Sequence, residues 1–527
     1  MSNLTTRRYV DIRRALLARE ELALIDLREE DPFAQAHPLF AANVALSKLE
    51  IEIFARVPRR DTAITVYDDG EGLAAIGAQR LLALGYRDVA VLEGGLAGWR
   101  AAGGELFRDV NVPSKAFGEL VESVRHTPSL SAEQVKALLD EQADVVVLDA
   151  RRFDEYQTMG IPGGVSVPGA ELVLRVAELA PDPATQVIVN CAGRTRSIIG
   201  AQSLINAGIA NPVAALRNGT IGWTLAGQAL AHGQARQFSA VSDSTRSAAA
   251  HKARAVAARA GVQRITRHGL AEWQADTART TYLFDVRTPE EYSAGHLPGS
   301  RSTPGGQLVQ ETDHFASVRG ARLVLVDDDG VRANMSASWL AQMGWQVAVV
   351  DALVATDFVE QGDWQPPLPE VPAVTEISVE QLATWLREDG TVVLDFTTSA
   401  NYVKRHLPGA HWAIRAQLPA ALERLPHAER YVLTCGSSLL ARFAAHDLQA
   451  LTPTPVYVLE GGTARWIDAG LPLEHGERRL AVPRSDRYRR PYEGTDNPRE
   501  AMQGYLEWEF GLVAQLARDG THGFAVA

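Results

Sequence analysis

Four times in 527 residues the same succession of segments returns, and an internal repeat of this length fixes the architecture before any single residue is weighed. Each repeat opens with a β-branched, apolar run ending in aspartate: LALID at Asp26, VVVLD at Asp149, TYLFD at Asp285 and TVVLD at Asp395. A second apolar run enters a tight loop and a helix, in TAITVYDDGEG, QVIVNCAGRTRS, RLVLVDDDGVR and RYVLTCGSSLL. With Asp68, Cys191, Asp328 and Cys435 taken as equivalent loop positions, the interval from the strand aspartate is 42, 42, 43 and 40 residues. A third run leads to Trp99, Trp223, Phe358 and Trp466, which follow the loop position by 31, 32, 30 and 31 residues.

Strands alternating with helical segments such as AAIGAQRLLALG and SIIGAQSLINAG predict parallel sheets covered on both faces. The fold class is therefore α/β, with four tandem three-layer α/β/α domains at residues 1–105, 128–232, 265–365 and 376–474 and a C-terminal helical extension at 475–527. Residues 106–127 and 233–264 should join units, the second through a helix in AAAHKARAVAARAG. Gly94, Gly95, Gly461 and Gly462 suit turns closed to other residues. The third unit lacks that pair and carries Phe358 for tryptophan, so its turn should be reshaped, and the four aromatic residues should cap cores. In the extension, Asn497 as N-cap, Pro498 in the first turn and Gly520 past the end mark one helix, and its Tyr505, Trp508 and Phe510 predict docking onto a neighbouring domain. The basic run at residues 484–490 reads as a solvated tail.

Composition narrows the function. No run approaches the roughly 18 apolar residues of a membrane span, and the N-terminal segment lacks the apolar centre of a signal peptide, so a cytoplasmic location without membrane partners is expected. A formal charge of −12 opposes general nucleic-acid binding. No cysteine and histidine cluster has metal-ligand spacing, so neither a metal nor another cofactor is indicated. The two cysteines, Cys191 and Cys435, occupy equivalent places in separate domains, which argues against a disulfide and for free thiols.

Both cysteines open a loop between a strand and a helix, where unpaired amides and the helix dipole favour a thiolate. In the loop Cys191-Ala192-Gly193-Arg194-Thr195-Arg196, Gly193 permits a curl that turns successive N–H groups inward as an anion nest. Arg194 and Arg196 would add positive charge beside the sulfur. A thiol in such a setting falls from about 8.5 to between roughly 3.5 and 7.5, so Cys191 should be largely ionised at neutral pH. Arg196 is expected at a solvent-facing cradle. Asp149 and Arg151, at the end of the unit's first strand, would sit below the loop and brace it, either as part of the site or as an ordinary structural ion pair.

These features resemble the rhodanese sulfurtransferases. The resemblance rests on the strand aspartates, GHLPG at residues 295–299, RHLPGA at 405–410, the cysteine-opened loop and the GGxxxW turns at 94–99 and 461–466, and it covers nearly the whole chain. It implies a cysteine that takes the outer sulfur of thiosulfate or a related donor, becomes a persulfide, and passes the sulfur to cyanide, a thiol or an acceptor protein. It also implies that an inactive unit pairs with a following catalytic one. Units one and three carry Asp68-Asp69-Gly70 and Asp328-Asp329-Gly330 where the cysteine would be, and a carboxylate would repel an anionic donor. Cys191 then attacks the sulfane sulfur, while the amides of residues 192–196 and the guanidinium groups receive the departing sulfite.

The loop Cys435-Gly436-Ser437-Ser438-Leu439-Leu440 has no basic residue and is similar to the neutral loops of mercaptopyruvate sulfurtransferases, although Leu439 and Leu440 supply no hydroxyl. A vestigial or accessory Cys435 is the competing reading. Related phosphatases need five residues between cysteine and arginine, whereas four separate Cys191 from Arg196 and position 197 is serine, which favours sulfur as the electrophile. A largely non-catalytic relay or scaffold protein is the remaining alternative.

Overall fold

The computed structural model describes residues 4–527. It contains four five-stranded sheets, all parallel, each with the same spatial order of its strands: first, fifth, fourth, second, third in chain order. In every unit the apolar run ending in aspartate is the second strand and the run entering the loop is the fourth, so the two lie side by side at the sheet centre. In unit two these are Val145–Asp149 and Gln186–Asn190, paired so that Asp149 faces Asn190. Both are buried on two faces by helices, which explains their unbroken apolar sequence.

Register corrects the alignment of unit three. Asp285 pairs with Val326, as Asp149 pairs with Asn190, so the residue equivalent to Cys191 is Asp327 and not Asp328. Asp26 pairs with Tyr67 and Asp395 with Thr434, which leaves Asp68 and Cys435 where the sequence put them. A run of three aspartates had hidden a one-residue slip.

Trp99, Trp223 and Trp466 are buried, and each indole N–H donates to a carbonyl six residues on, at Glu105, Ala229 and Pro472. The second glycine of the turn has a specific task. A side-chain carbon on Gly95, Gly219 or Gly462 would collide with the carbonyl of Asp68, Cys191 or Cys435, because the turn packs directly on the loop. In unit three that position is Leu353, the preceding Ala352 takes φ 58°, and a 3-10 turn, Ala355–Asp357, replaces the helix. Phe358 there is only partly buried and lies beneath the Arg287 guanidinium at 4.2 Å, so it does not cap a core as the tryptophans do.

The units do not pack simply as one with two and three with four, the pairing the resemblance implied: unit two meets unit three through Glu171 and Arg332, 2.9 Å apart. Units one and three share one continuous apolar core, bridged by backbone bonds between Leu22 and Arg319 and by the Tyr282 hydroxyl donating to the Arg56 carbonyl at 2.5 Å. Unit four keeps a core of its own and meets unit one through Arg415, whose guanidinium lies 2.6 Å from Glu50.

The connecting segments are structural elements. The stretch after residue 106 forms a helix, Val112–Arg125, packed against the helix that follows Cys191. The second connection forms Asp243–Arg259, as its alanine content predicts. The extension forms two helices, Arg499–Phe510 and Leu512–Asp519, broken at Gly511, where the sequence suggested one. Pro498 takes the N-cap position while the Asn497 side chain donates to the Glu493 carbonyl. Tyr505 is buried and Trp508 packs beside it, but Phe510 is largely exposed. Nor is the basic run a free tail: Arg490 lies 3.3 Å from Glu30, and the Tyr488 amide donates to the same carboxylate at 3.0 Å. Among the described residues, no helix is long and apolar enough to cross a membrane.

Candidate functional site at the Cys191 loop

Cys191 leaves the end of the strand Gln186–Asn190 and the helix Thr195–Asn206 begins four residues later, earlier than the sequence suggested, so Thr195 and Arg196 form its first turn. The loop is held from the far side by the Thr220 and Ile221 amides, which donate to the carbonyls of Cys191 and Ala192 at 2.9 and 3.0 Å. Its own amides from residue 192 to residue 196 find no protein acceptor among the described residues. The Cys191 thiol lies 3.4 Å from the Ser197 hydroxyl, and the Ser197 amide also points to the sulfur.

The charge around the sulfur differs from the expectation. Arg194 turns away, bonding Glu119 at 2.7 Å, Glu122 and the Asn218 side-chain Oδ1, with its guanidinium over the Phe510 ring. Arg196 is mostly buried and makes a two-bond pair with Glu155 at 2.7 and 3.0 Å, so it is not a solvent-facing cation. Burial pushes the Cys191 thiol above its usual range; Arg196 and Ser197 oppose that shift without reversing it. The enclosed resting thiol is thus not the pre-ionised nucleophile read from the sequence. Neutralised arginines cannot offset the loss of solvent around an anion.

Asp149 and Arg151 lie below the loop as a buried pair at 2.7 Å. Arg151 also donates to the Met159 carbonyl at 2.6 Å, and Asn190 donates to Asp149 at 2.8 Å. This joins the two central strands to the helix Phe153–Thr158, which carries Glu155 and so sets Arg196. Glu155 was missed by sequence reasoning, yet the repeat signals it: Glu291 stands at the same interval after Asp285 and pairs with Arg332 at 2.5 Å, as Glu155 pairs with Arg196. Glu119, Ser197 and Glu509 were also missed. Beside Arg196 and Arg151 opens a cleft of about 500 Å³, closed on its other side by Arg490 and Tyr492 of the extension.

The other three loops share this frame with different contents. In unit one the Asp68 carboxylate accepts from the Gly70 and Ala74 amides at 3.0 and 2.8 Å; in unit three Asp327 accepts from Gly330 and Ala333 at 3.0 and 2.8 Å. The amide six residues on, which points to sulfur from Ser197 and from Ala441, is thus taken by an internal carboxylate in units one and three. In unit four the amides of Ser437, Leu440 and Ala441 favour the Cys435 thiolate, but burial outweighs them and the thiol again sits above its usual range. Thr397 stands where the other units place Arg28, Arg151 and Arg287. One Asp395 oxygen consequently accepts only from the Thr397 amide at 2.8 Å and the other is unpaired, and burial, opposed by that single bond, pushes the group up to about 7.

The four sheets of one topology, with a loop of one geometry at the centre of each, agree with the sequence pattern that defines the Rhodanese-like domain, which matches residues 11–102, 131–226, 266–352 and 378–469. The chain belongs to the rhodanese family. A crystal structure of thiosulfate sulfurtransferase from Pseudomonas aeruginosa is 76% identical and superposes on this rhodanese with a TM-score of 0.98, covering 99% of this chain and 100% of the other. A rhodanese-like domain protein from Staphylococcus aureus is 22% identical over 20% of this chain and 99% of its own, with a TM-score of 0.18. A rhodanese-related protein from Thermoplasma volcanium is 19% identical over 19% and 97%, also at 0.18. Comparison with the curated proteins gives no match.

Proposed function

We propose that this rhodanese is a thiosulfate sulfurtransferase and that Cys191 carries the transferred sulfur as a persulfide. The observation that carries the reading is the combination found in unit two. Of the four loops, unit one has aspartate with leucine at the loop's end, unit three aspartate with Arg332, unit four cysteine with Leu440, and unit two cysteine with Arg196. The likeness to the Pseudomonas aeruginosa enzyme supports thiosulfate as donor.

The thiolate of Cys191 attacks the outer sulfur of thiosulfate, a new S–S bond forms, the donor's S–S bond breaks, and the electron pair leaves on sulfite. The acceptor-free amides of residues 192–196 and the helix terminus receive the developing oxyanion. Binding of the anion to those amides shifts Arg196 between Glu155 and the donor, while Asp149 and Arg151 keep the loop in place. A cyanide or thiol acceptor then attacks the outer sulfur and returns the thiolate. Units one and three, whose loops hold a carboxylate in the anion position, are non-catalytic in this scheme. Cys435, with a neutral cradle, suits a less charged donor such as mercaptopyruvate.

Brief exposure of the reduced protein to thiosulfate, followed by peptide mass spectrometry, is expected to find one added sulfur on Cys191. Full thiosulfate turnover by Cys191→Ser would overturn the reading.

A further inference from the structure

The extension brings to the Cys191 loop an acid for which the transfer scheme above has no use. Glu509, near the end of the helix Arg499–Phe510, is fully buried. Its Oε1 accepts from the Tyr505 hydroxyl at 2.9 Å, and its Oε2 has no partner. A carbon added to Gly193 would lie 3.3 Å from that free oxygen and 3.1 Å from the Tyr505 ring. The helix therefore rests on the loop two residues beyond the sulfur, close enough for charge on Glu509 to act on Cys191.

The two cations near Glu509, Lys115 and Arg194, favour its ionisation but are already engaged by other carboxylates. Lys115 is held by Asp109 at 2.6 Å and lies over the rings of Tyr492, Tyr505 and Trp508. Arg194 is held by Glu119 and Glu122, and Glu119 itself opposes ionisation of Glu509. With burial as the largest cause, the carboxyl is pushed up to about 8. A buried polar oxygen without a partner is costly, and such groups mark places where something else binds. The loop amides lack an acceptor, and the acid packed on Gly193 of the same loop has a proton to share. Both are complementary to one ligand class, a compact anion bearing several oxygens.

We propose that the free oxygen of Glu509 donates a hydrogen bond to a sulfonate oxygen of thiosulfate on the Cys191 loop and keeps it as sulfite departs. This rests on the reading of Cys191 as the sulfur-accepting thiol. The covalent balance is unchanged: the Cys191 sulfur gains the outer sulfur, the donor's S–S bond supplies the electron pair that leaves on sulfite, and the proton stays with Glu509. The donor site is thereby completed by a segment outside the repeat. Ionised Glu509 would repel the same anion, so the residue also sets an upper pH limit on donor use.

The test is single-turnover sulfite release from thiosulfate by the full-length protein, between about pH 6 and about pH 10, for wild type, Glu509→Gln, Glu509→Ala and Cys191→Ser. The wild-type rate is expected to rise with pH as the Cys191 thiolate forms, to stop rising near pH 8 as Glu509 ionises, and to fall once Cys191 is fully ionised. Glu509→Gln keeps a neutral donor and should lose the fall, and Glu509→Ala should be slower at low pH by roughly tenfold or more, the loss expected for one hydrogen bond to a charged group. Identical profiles for wild type and Glu509→Gln overturn the proposal while leaving Cys191 as carrier. Sulfite release by Cys191→Ser at the wild-type rate overturns the reading of Cys191 itself. Tyr505→Phe, which frees Oε1 without removing the acid, should retain the fall; its loss would assign the pH limit to Tyr505 instead.

Discussion

Asp395 shows how much one side chain decides in this fold. Its counterparts Asp26, Asp149 and Asp285 each meet an arginine two residues on, at 2.6, 2.7 and 2.7 Å, and Asp395 meets Thr397 instead. A carboxyl raised to about 7 in the fold binds its proton more tightly than the unfolded chain does, so unit four is most stable below the unfolded value near 4 and loses that contribution as pH rises through 7. The loss amounts to about 4 kcal/mol at most. Thermal melts of Asp395→Asn should lack this decline between about pH 4 and pH 7, and Thr397→Arg should reverse its sign; an unchanged slope in both would refute the assignment. Cys191, Arg194, Arg196 and the Asp149–Arg151 pair were legible as neighbours, one loop and the strand end beside it. Their ionisation was not, since the carboxylates that neutralise Arg194 come from 75 and 72 residues upstream. Sequence distance conceals that pairing.

Among elements, the helix Arg499–Phe510 departs furthest from its sequence reading. Its aromatic residues were visible as a docking face, but the surface they dock on was not, because periodicity gives the face of a helix and not its partner. Tyr505 and Glu509 cover the Cys191 loop at Gly193, whereas in the Cys435 loop Gly436 and Ser437 face solvent. Removing the ring with Tyr505→Ala should speed alkylation of Cys191 by about an order of magnitude, equivalent to ~1.4 kcal/mol, and leave Cys435 unchanged as internal control. Peptide mass spectrometry after timed exposure to iodoacetamide reads both sites at once. Equal acceleration at the two cysteines would point to general loosening. The linker helix Val112–Arg125 makes a related point: it was read as a connection, yet its Glu119 binds Arg194 of the loop. Its heavily buried face was the missed signal.

At the scale of the whole molecule, four repeats were legible and their assembly was not, since repeats of similar sequence offer similar outer faces. Unit four's separate core, which takes in Ala481 and Val482 from the start of the extension, predicts a calorimetric transition distinct from that of the body built on the core shared by units one and three. Arg415 is buried between Glu50 of unit one and Asp447 of its own unit. Arg415→Ala should move the two transitions apart, at a cost of about 1–3 kcal/mol because Arg80 still lies 3.3 Å from Glu50 and 3.0 Å from Asp447; a single transition unaffected by the substitution would show that the units melt together. The core shared by units one and three carries a different consequence, for how such a chain can change over generations. Neither repeat has a thiol in its loop. Yet each forms an inner wall of the other, so discarding either would open a large apolar surface to water. The fourth repeat stands outside that shared wall, in a core of its own.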